Sequence, residues 1–341
     1  MLLKIIFISL MRLMNNKSIS LPFYYSIYHK PCIKLCLGEP KQCFNFQLST
    51  NNDISYIIDY NYNQFGFNSE KSSTFKLIKS SYSEYYDNST NRLLNGRLSS
   101  DTLSDLNNIL ILKNFQFYLV SSGFYVPEVD GIIALGKDMK YESFLSKLFY
   151  DKLIDNNNFA FISSNVIFGD IIEDFKNNGK LINNNINSYE CELNKIFFYK
   201  ESSNLFFSID YINTITFSPG SEVIYSPSSF FNKLTNTILK PYILKNQCNI
   251  NKIDSNSSFL TCFKEIVKEN LGIIYFIIGK WNVNFEINKL FFKYNEEKLR
   301  FAFISLENNK KIVLGYPFFS KYNIIFNNTE KKIEVKAKNN T

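Results

Sequence analysis

Apolar positions along the chain fall in short runs dominated by Phe, Tyr, Ile and Val, and Gly, Asn, Ser or Pro interrupts them repeatedly. Such side chains suit a pleated, half-buried surface, and breakers at that frequency leave little room for long helices. Phe44-Asn45-Phe46-Gln47-Leu48 alternates strictly, which predicts a strand. Leu271-Gly272-Ile273-Ile274-Tyr275-Phe276-Ile277-Ile278-Gly279 is almost continuously apolar. It falls far below the roughly 20 residues needed to cross a bilayer, and predicts a buried strand. The pattern predicts an all-β, β-rich chain that favours strands over long helices and has no stable transmembrane segment.

Composition supports packed lobes: 341 residues with 45% hydrophobic and 17% aromatic content can fill large cores, which excludes a disordered chain. The formal charge of +7 does not form a basic stripe, because the lysines are interleaved with Asp and Glu. No nucleic-acid partner is expected. Neither Gly-x-x-x-x-Gly-Lys-Ser/Thr nor Gly-x-Gly-x-x-Gly occurs, so nucleotide chemistry has no support. His29 is the only histidine and sits in no nucleophile motif, which leaves Ser-His-Asp and Cys-His mechanisms without their imidazole.

Met1-Leu2-Leu3-Lys4 followed by Ile5-Ile6-Phe7-Ile8-Ser9-Leu10-Met11 places a positive charge before a short apolar run. Residues 1–20 are therefore expected to be a signal peptide or N-terminal tail, with the protein secreted or in the endomembrane lumen. Sequons stand at Asn16, Asn88, Asn256, Asn327 and Asn339, although an asparagine-rich chain produces them by accident. Six cysteines, Cys32, Cys36, Cys43, Cys191, Cys248 and Cys262, allow about 15 pairings if all are bridged. Cys32 and Cys36 also have the spacing of zinc ligands, but no second close pair accompanies them. Neither a metal nor a cofactor is expected.

Several segments, in order, resemble landmarks of the pepsin-like aspartic peptidases. Leu37-Gly38-Glu39-Pro40-Lys41-Gln42 is similar to the family's I-G-T-P-P-Q turn, and Ser69-Glu70-Lys71-Ser72-Ser73-Thr74-Phe75 to its S-x-S-S-T-[FY] segment. Tyr86, Gly96 and Leu98-Ser99-Ser100-Asp101-Thr102-Leu103 resemble the flap hairpin and the strand after it. Asp130-Gly131-Ile132-Ile133-Ala134-Leu135-Gly136 is similar to D-G-I-[LI]-G-L-G, and Ile224-Tyr225-Ser226-Pro227-Ser228-Ser229-Phe230-Phe231 resembles the start of the helix after the second loop. Ile312-Val313-Leu314-Gly315-Tyr316-Pro317-Phe318-Phe319 opens a segment that resembles the closing I-L-G-D-x-F-L motif. The resemblance spans residues 24 to 337 and implies a bilobal β fold joined by a shared sheet. The lobes are expected at 21–185 and 186–341, with Ser188-Tyr189-Glu190-Cys191-Glu192-Leu193 opening the second. It also implies a bridge from Cys248 to Cys262; a second bridge, from Cys43 to Cys32 or Cys36, is expected beside it.

In the positions of the two Asp-Thr/Ser-Gly loops this chain has Gln47-Leu48-Ser49-Thr50-Asn51-Asn52 and Thr216-Phe217-Ser218-Pro219-Gly220-Ser221. The resemblance therefore puts Ser49 and Ser218 where the catalytic aspartates belong. Two carboxylates sharing a proton activate water in that family, and a serine hydroxyl is not a base near neutral pH. Asn51 stands at a glycine position and tolerates a left-handed backbone. Pro219 replaces a hydroxyl residue, Ala134 a bracing glycine and Tyr316 an aspartate, while Gly38, Gly131, Gly136 and Gly315 are retained. At about 3.3 Å per residue along a strand, Asp53 and Asp210 are expected more than roughly 10 Å from the serines. The expected protein is a monomeric pseudo-peptidase that binds a peptide or protein in the interlobe cleft. The flap at Tyr86 and the loop residues Thr50, Asn51, Gly220 and Ser221 would line that cleft. An active endopeptidase with unusual residues and a purely structural homologue are the alternatives.

Overall fold

The computed structural model describes residues 17–27, 29–87, 92–123, 129–136, 142–171, 180–183, 189–201 and 205–338. Two compact units account for the chain: Met1–Gly179 with Tyr322–Thr341, and Lys180–Lys321. The first unit is thus discontinuous in sequence, whereas a division at 185/186 assigns its last strands to the second. The 185/186 boundary itself, residues 1–16 and the sequons Asn88 and Asn339 lie outside the described residues. Strand Ser18–Pro22 begins inside the segment expected to be a leader or tail, where Ile19 and Leu21 alternate with exposed neighbours and pair with Phe168 and Val166.

The main sheet of the first unit runs in the order Tyr24–Tyr25, Pro31–Leu37, Gln42–Ser49, Gly131–Ala134, Tyr56–Ile58, Ile111–Ser122, Arg92–Ser104 and Lys76–Leu77. Pro31–Leu37 also pairs with Arg92–Ser104, so the sheet closes on itself and protects what would otherwise be open edges. A second sheet stacks Ser18–Pro22, Asn165–Gly169, Phe159–Ile162, Tyr322–Asn327 and Lys332–Ala337. Phe159 stacks on Phe326 at 4.5 Å, coupling mid-chain and C-terminal strands in one core.

The second unit has an eight-stranded sheet in the order Glu190–Glu192, Thr214–Phe217, Ile312–Leu314, Ile224–Pro227, Lys298–Leu306, Ser257–Phe263 and Cys248–Lys252, with Phe291–Lys293 on Lys298–Leu306. A four-stranded sheet orders Leu205–Ile209, Lys195–Lys200, Ile273–Ile278 and Trp281–Glu286. The apolar run at 271–279 is a strand, but its residues alternate between buried and half-buried, as a sheet with one covered face requires. Helices are short, among them Phe144–Tyr150, Ser228–Leu234 and Tyr316–Lys321.

Two disulfides link directly opposed residues of antiparallel pairs: Cys36 with Cys43 and Cys248 with Cys262. Cys36 is the partner of Cys43, which resolves the open choice and removes Cys36 as a thiolate ligand. Cys32 and Cys191 are buried outside these bridges.

The Phe159–Phe326 stack yields a direct expectation. Phe159→Ala removes a fully buried ring and should destabilise the first unit by about 3–5 kcal/mol, read as a lower midpoint in chemical denaturation.

Candidate active site

In each unit a strand ends at one of the two candidate serines and enters a loop. Gln42–Ser49 lies parallel to Gly131–Ala134, which is antiparallel to Tyr56–Ile58, which in turn is parallel to Ile111–Ser122. Thr214–Phe217 lies parallel to Ile312–Leu314, which is antiparallel to Ile224–Pro227, which is parallel to Lys298–Leu306. The two units thus contain one four-strand arrangement twice.

Register makes the equivalence specific. Ser49 lies opposite Ala134, and Phe217 opposite Leu314, so Ser218 follows opposite Gly315. Extending the antiparallel registers sets Ile54 opposite Ala134 and Val223 opposite Gly315. Both loops, 49–54 and 218–223, are therefore of equal length, and Ser49 and Ser218 occupy the same position in them. Ala134 corresponds to Gly315 by the same pairing.

Backbone bonds hold both loops. Leu135 N–H donates to Ser49 O at 2.7 Å and Gly136 N–H to Asn52 O at 3.0 Å. In the second loop Tyr316 N–H donates to Ser221 O at 2.8 Å; the next residue, Pro317, has no N–H to offer. A Cβ on Gly136 would lie 2.3 Å from Asn52 O, and one on Gly315 would lie 2.2 Å from Val223 O, so neither position accepts a larger residue without displacing backbone. Ala134 is tolerated at its equivalent position, fully buried, with its N–H donated to Ser55 Oγ at 3.0 Å. Neither Asn51 nor Gly220 has a positive φ, so the left-handed backbone that asparagine tolerates is not used at this position.

Both serines are 1% exposed. Ser49 Oγ donates to Asn52 Oδ1 at 3.3 Å and accepts Asn51 N–H at 3.3 Å. Ser218 Oγ and Ser221 Oγ are hydrogen-bonded at 2.9 Å, so each serine is tied to the side chain three residues ahead. Thr50, Pro219 and Gly220 are buried, and Asn51 and Ser221 are partly exposed.

Strand-rise arithmetic does not apply to Asp53. The strand ends at Ser49 and the loop turns back, bringing Asn52 Oδ1 against the serine hydroxyl. The Asp53 carboxylate sits at the retained glycine, 2.9 Å from where a Cβ of Gly136 would be. Glu222 occupies the equivalent fifth position of the second loop and pairs with Arg300 at 3.4 Å. Nearby, burial followed by the charge of Glu222 pushes the Tyr225 phenol up to about 12. These loop acids were legible only as a matched Ser-x-x-x-Asp/Glu spacing.

Other motif segments converge on a carboxylate that sequence reading did not single out. Buried Asp101 accepts from Ser72 Oγ at 2.7 Å, from Thr102 N–H at 2.7 Å and from the Thr74 hydroxyl. Gly38 packs against the same group, with a Cβ there falling 2.5 Å from Ser72 Oγ. The hairpin resembling a flap is present, with Ser83–Asp87 paired to Arg92–Ser104 and Tyr86 opposite Leu93. The side chain of Tyr86 lies outside the described residues. At the hairpin base Ser83 Oγ meets Tyr118 OH at 2.7 Å, and Arg97 lies over the Tyr82 ring.

A comparison with protein families matches residues 33–338 to Eukaryotic aspartyl protease. The chain belongs to the eukaryotic aspartyl protease family. A search of curated proteins finds no match. The β-rich structure agrees with the pepsin-like architecture of this family.

Two expectations follow for this aspartyl protease family member. Gly315→Ala should lower stability by about 1–3 kcal/mol through forced backbone displacement, measurable by thermal unfolding. Asp130, which accepts Asn45 N–H at 2.8 Å, has its carboxyl raised above the ordinary range by burial, and the Asn45 bond only partly opposes this. Its folded state therefore favours the protonated form, and the contribution of Asp130 to stability is largest in acid and falls as pH rises through the folded pKa. Asp130→Asn should flatten that slope in denaturation curves taken between acidic and neutral pH.

Proposed function

We propose that this chain is a non-hydrolytic aspartic-peptidase-like protein of an oxidising, secretory or extracellular setting, which binds an extended peptide or protein segment in the cleft characteristic of its family. The observation that carries the reading is the equivalence of Ser49 and Ser218 within two loops of the same length and strand order. These are the positions at which the family resemblance requires aspartates. A hydroxyl bonded to Asn52 or Ser221 cannot take a proton from water at ordinary pH. Loss of a single general base costs about 10²–10⁴ in rate, and the usual mechanism here lacks both carboxylates. Extended-peptide binding rests on backbone hydrogen bonds to a strand edge or hairpin and on apolar pockets, neither of which needs the aspartates. The two disulfides and the family membership support the compartment.

A second reading, an active endopeptidase with displaced carboxylates, is favoured by Asp53 and Glu222, which stand at the same place in both loops. Incubation of the purified protein with peptide libraries from acidic to neutral pH, with and without a pepstatin-type inhibitor, separates the readings. The proposal expects no inhibitor-sensitive cleavage and unchanged silence in Asp53→Asn and Glu222→Gln. Cleavage by the unmodified protein that disappears in either variant would overturn it.

A further inference from the structure

The two sequons among the described residues have opposite environments. Asn327-Asn328-Thr329 closes strand Tyr322–Asn327: Asn327 is 5% exposed, its Oδ1 accepts Glu330 N–H at 2.9 Å, and the Thr329 hydroxyl donates to Asn158 Oδ1 at 3.2 Å. At 5% exposure the Asn327 amide has little room for a sugar on Nδ2, and its strand is paired along Lys332–Ala337. Asn256-Ser257-Ser258 lies at the tip of the hairpin formed by Cys248–Lys252 and Ser257–Phe263. Asn256 is exposed, and its main chain is held by Asp254 Oδ1, which accepts Asn256 N–H at 2.7 Å, and by Glu307 N–H, which donates to Asn256 O at 2.9 Å. The hairpin is stapled by the Cys248–Cys262 disulfide, a bond formed in the compartment where sequons are read.

We propose that Asn256 is an N-glycosylation site of this protein and that Asn327 is not. The reaction is a glycosyl transfer from a lipid-diphosphate-linked oligosaccharide. Asn256 Nδ2 forms a bond to the anomeric carbon, the bond from that carbon to the phosphate oxygen breaks, the lipid diphosphate leaves, and the amide loses one proton. A glycan on this tip projects into solvent and leaves the ladder between Ser257–Phe263 and Lys298–Leu306 intact. Surface-loop placement is the structural condition for such an acceptor, and the Asn256 tip meets it while the Asn327 strand end does not.

The test is expression of the full chain with its own N-terminus in a glycosylating eukaryotic cell. The disulfide-bonded protein is then isolated, enzymatically deglycosylated in heavy-oxygen water, and mapped peptide by peptide. The isotopic Asn-to-Asp label is expected on the Asn256 peptide and not on the Asn327 peptide. It should be lost in Asn256→Gln and in Ser258→Ala, and kept in Ser258→Thr, a substitution that preserves both the fold and the sequon. An unlabelled Asn256 peptide in folded protein, or a labelled Asn327 peptide, would overturn the proposal; peptide-level mapping keeps the sequons at Asn16, Asn88 and Asn339 from contributing to either result.

Discussion

The constraint on which the candidate site depends is the placement of one short strand between a parallel and an antiparallel neighbour, repeated in each unit. Gly131–Ala134 and Ile312–Leu314 are the inner strands. The residues just beyond them donate backbone N–H groups to loop carbonyls at Ser49, Asn52 and Ser221. Buried carbonyls must be satisfied, and these donors satisfy them at fixed points. Gly136 and Gly315 allow the approach, since any side chain there would meet carbonyl oxygen at well under contact distance. Main-chain bonds fix where each loop meets its inner strand, and the serine hydroxyls add bonds within the loops themselves.

Such main-chain bonds are compatible with the proposed reading of a retained framework around serines. A pair of buried carboxylates carries a desolvation cost of several kcal/mol per ion unless it is paired or protonated. Small hydroxyls bonded within their own loop, Ser49 to Asn52 and Ser218 to Ser221, remove that cost without disturbing the strands that carry them. On the proposed reading, serines at these two positions are structurally mild, whereas losing Gly315 or the Asp101 node would not be. The node joins Gly38, Ser72, Thr74 and Thr102, segments far apart in sequence, through a single buried carboxylate.

Much of this was legible in the sequence for a physical reason. Period-two patterning reports burial on one sheet face, so Phe44–Leu48 read directly as a strand. Gly136 and Gly315 were legible as retained family positions, and the structure supplies the close backbone approach that explains them. The Cys248–Cys262 pair was expected from family resemblance, while the choice between Cys32 and Cys36 needed the register that sets Cys36 opposite Cys43. The return of the chain at Tyr322 into the first unit was not legible, because strand pairing across about half the chain leaves no local signal. The strand ends at Ser49, so strand rise does not carry through the loop to Asp53. The convergence on Asp101 leaves no trace in the sequence, because hydrogen-bond partners separated by dozens of residues have no sequence periodicity.

The central claim is that Ser49 and Ser218 stand at the two catalytic positions of an otherwise intact framework. Its most direct test is the acid-pH peptide hydrolysis rate of a variant carrying Ser49→Asp, Ser218→Asp, Asn51→Gly and Pro219→Thr, which restores both loops. Cleavage sensitive to a pepstatin-type inhibitor, appearing in this variant and not in the unmodified protein, is the predicted result. A correctly folded variant that remains without activity would contradict the account.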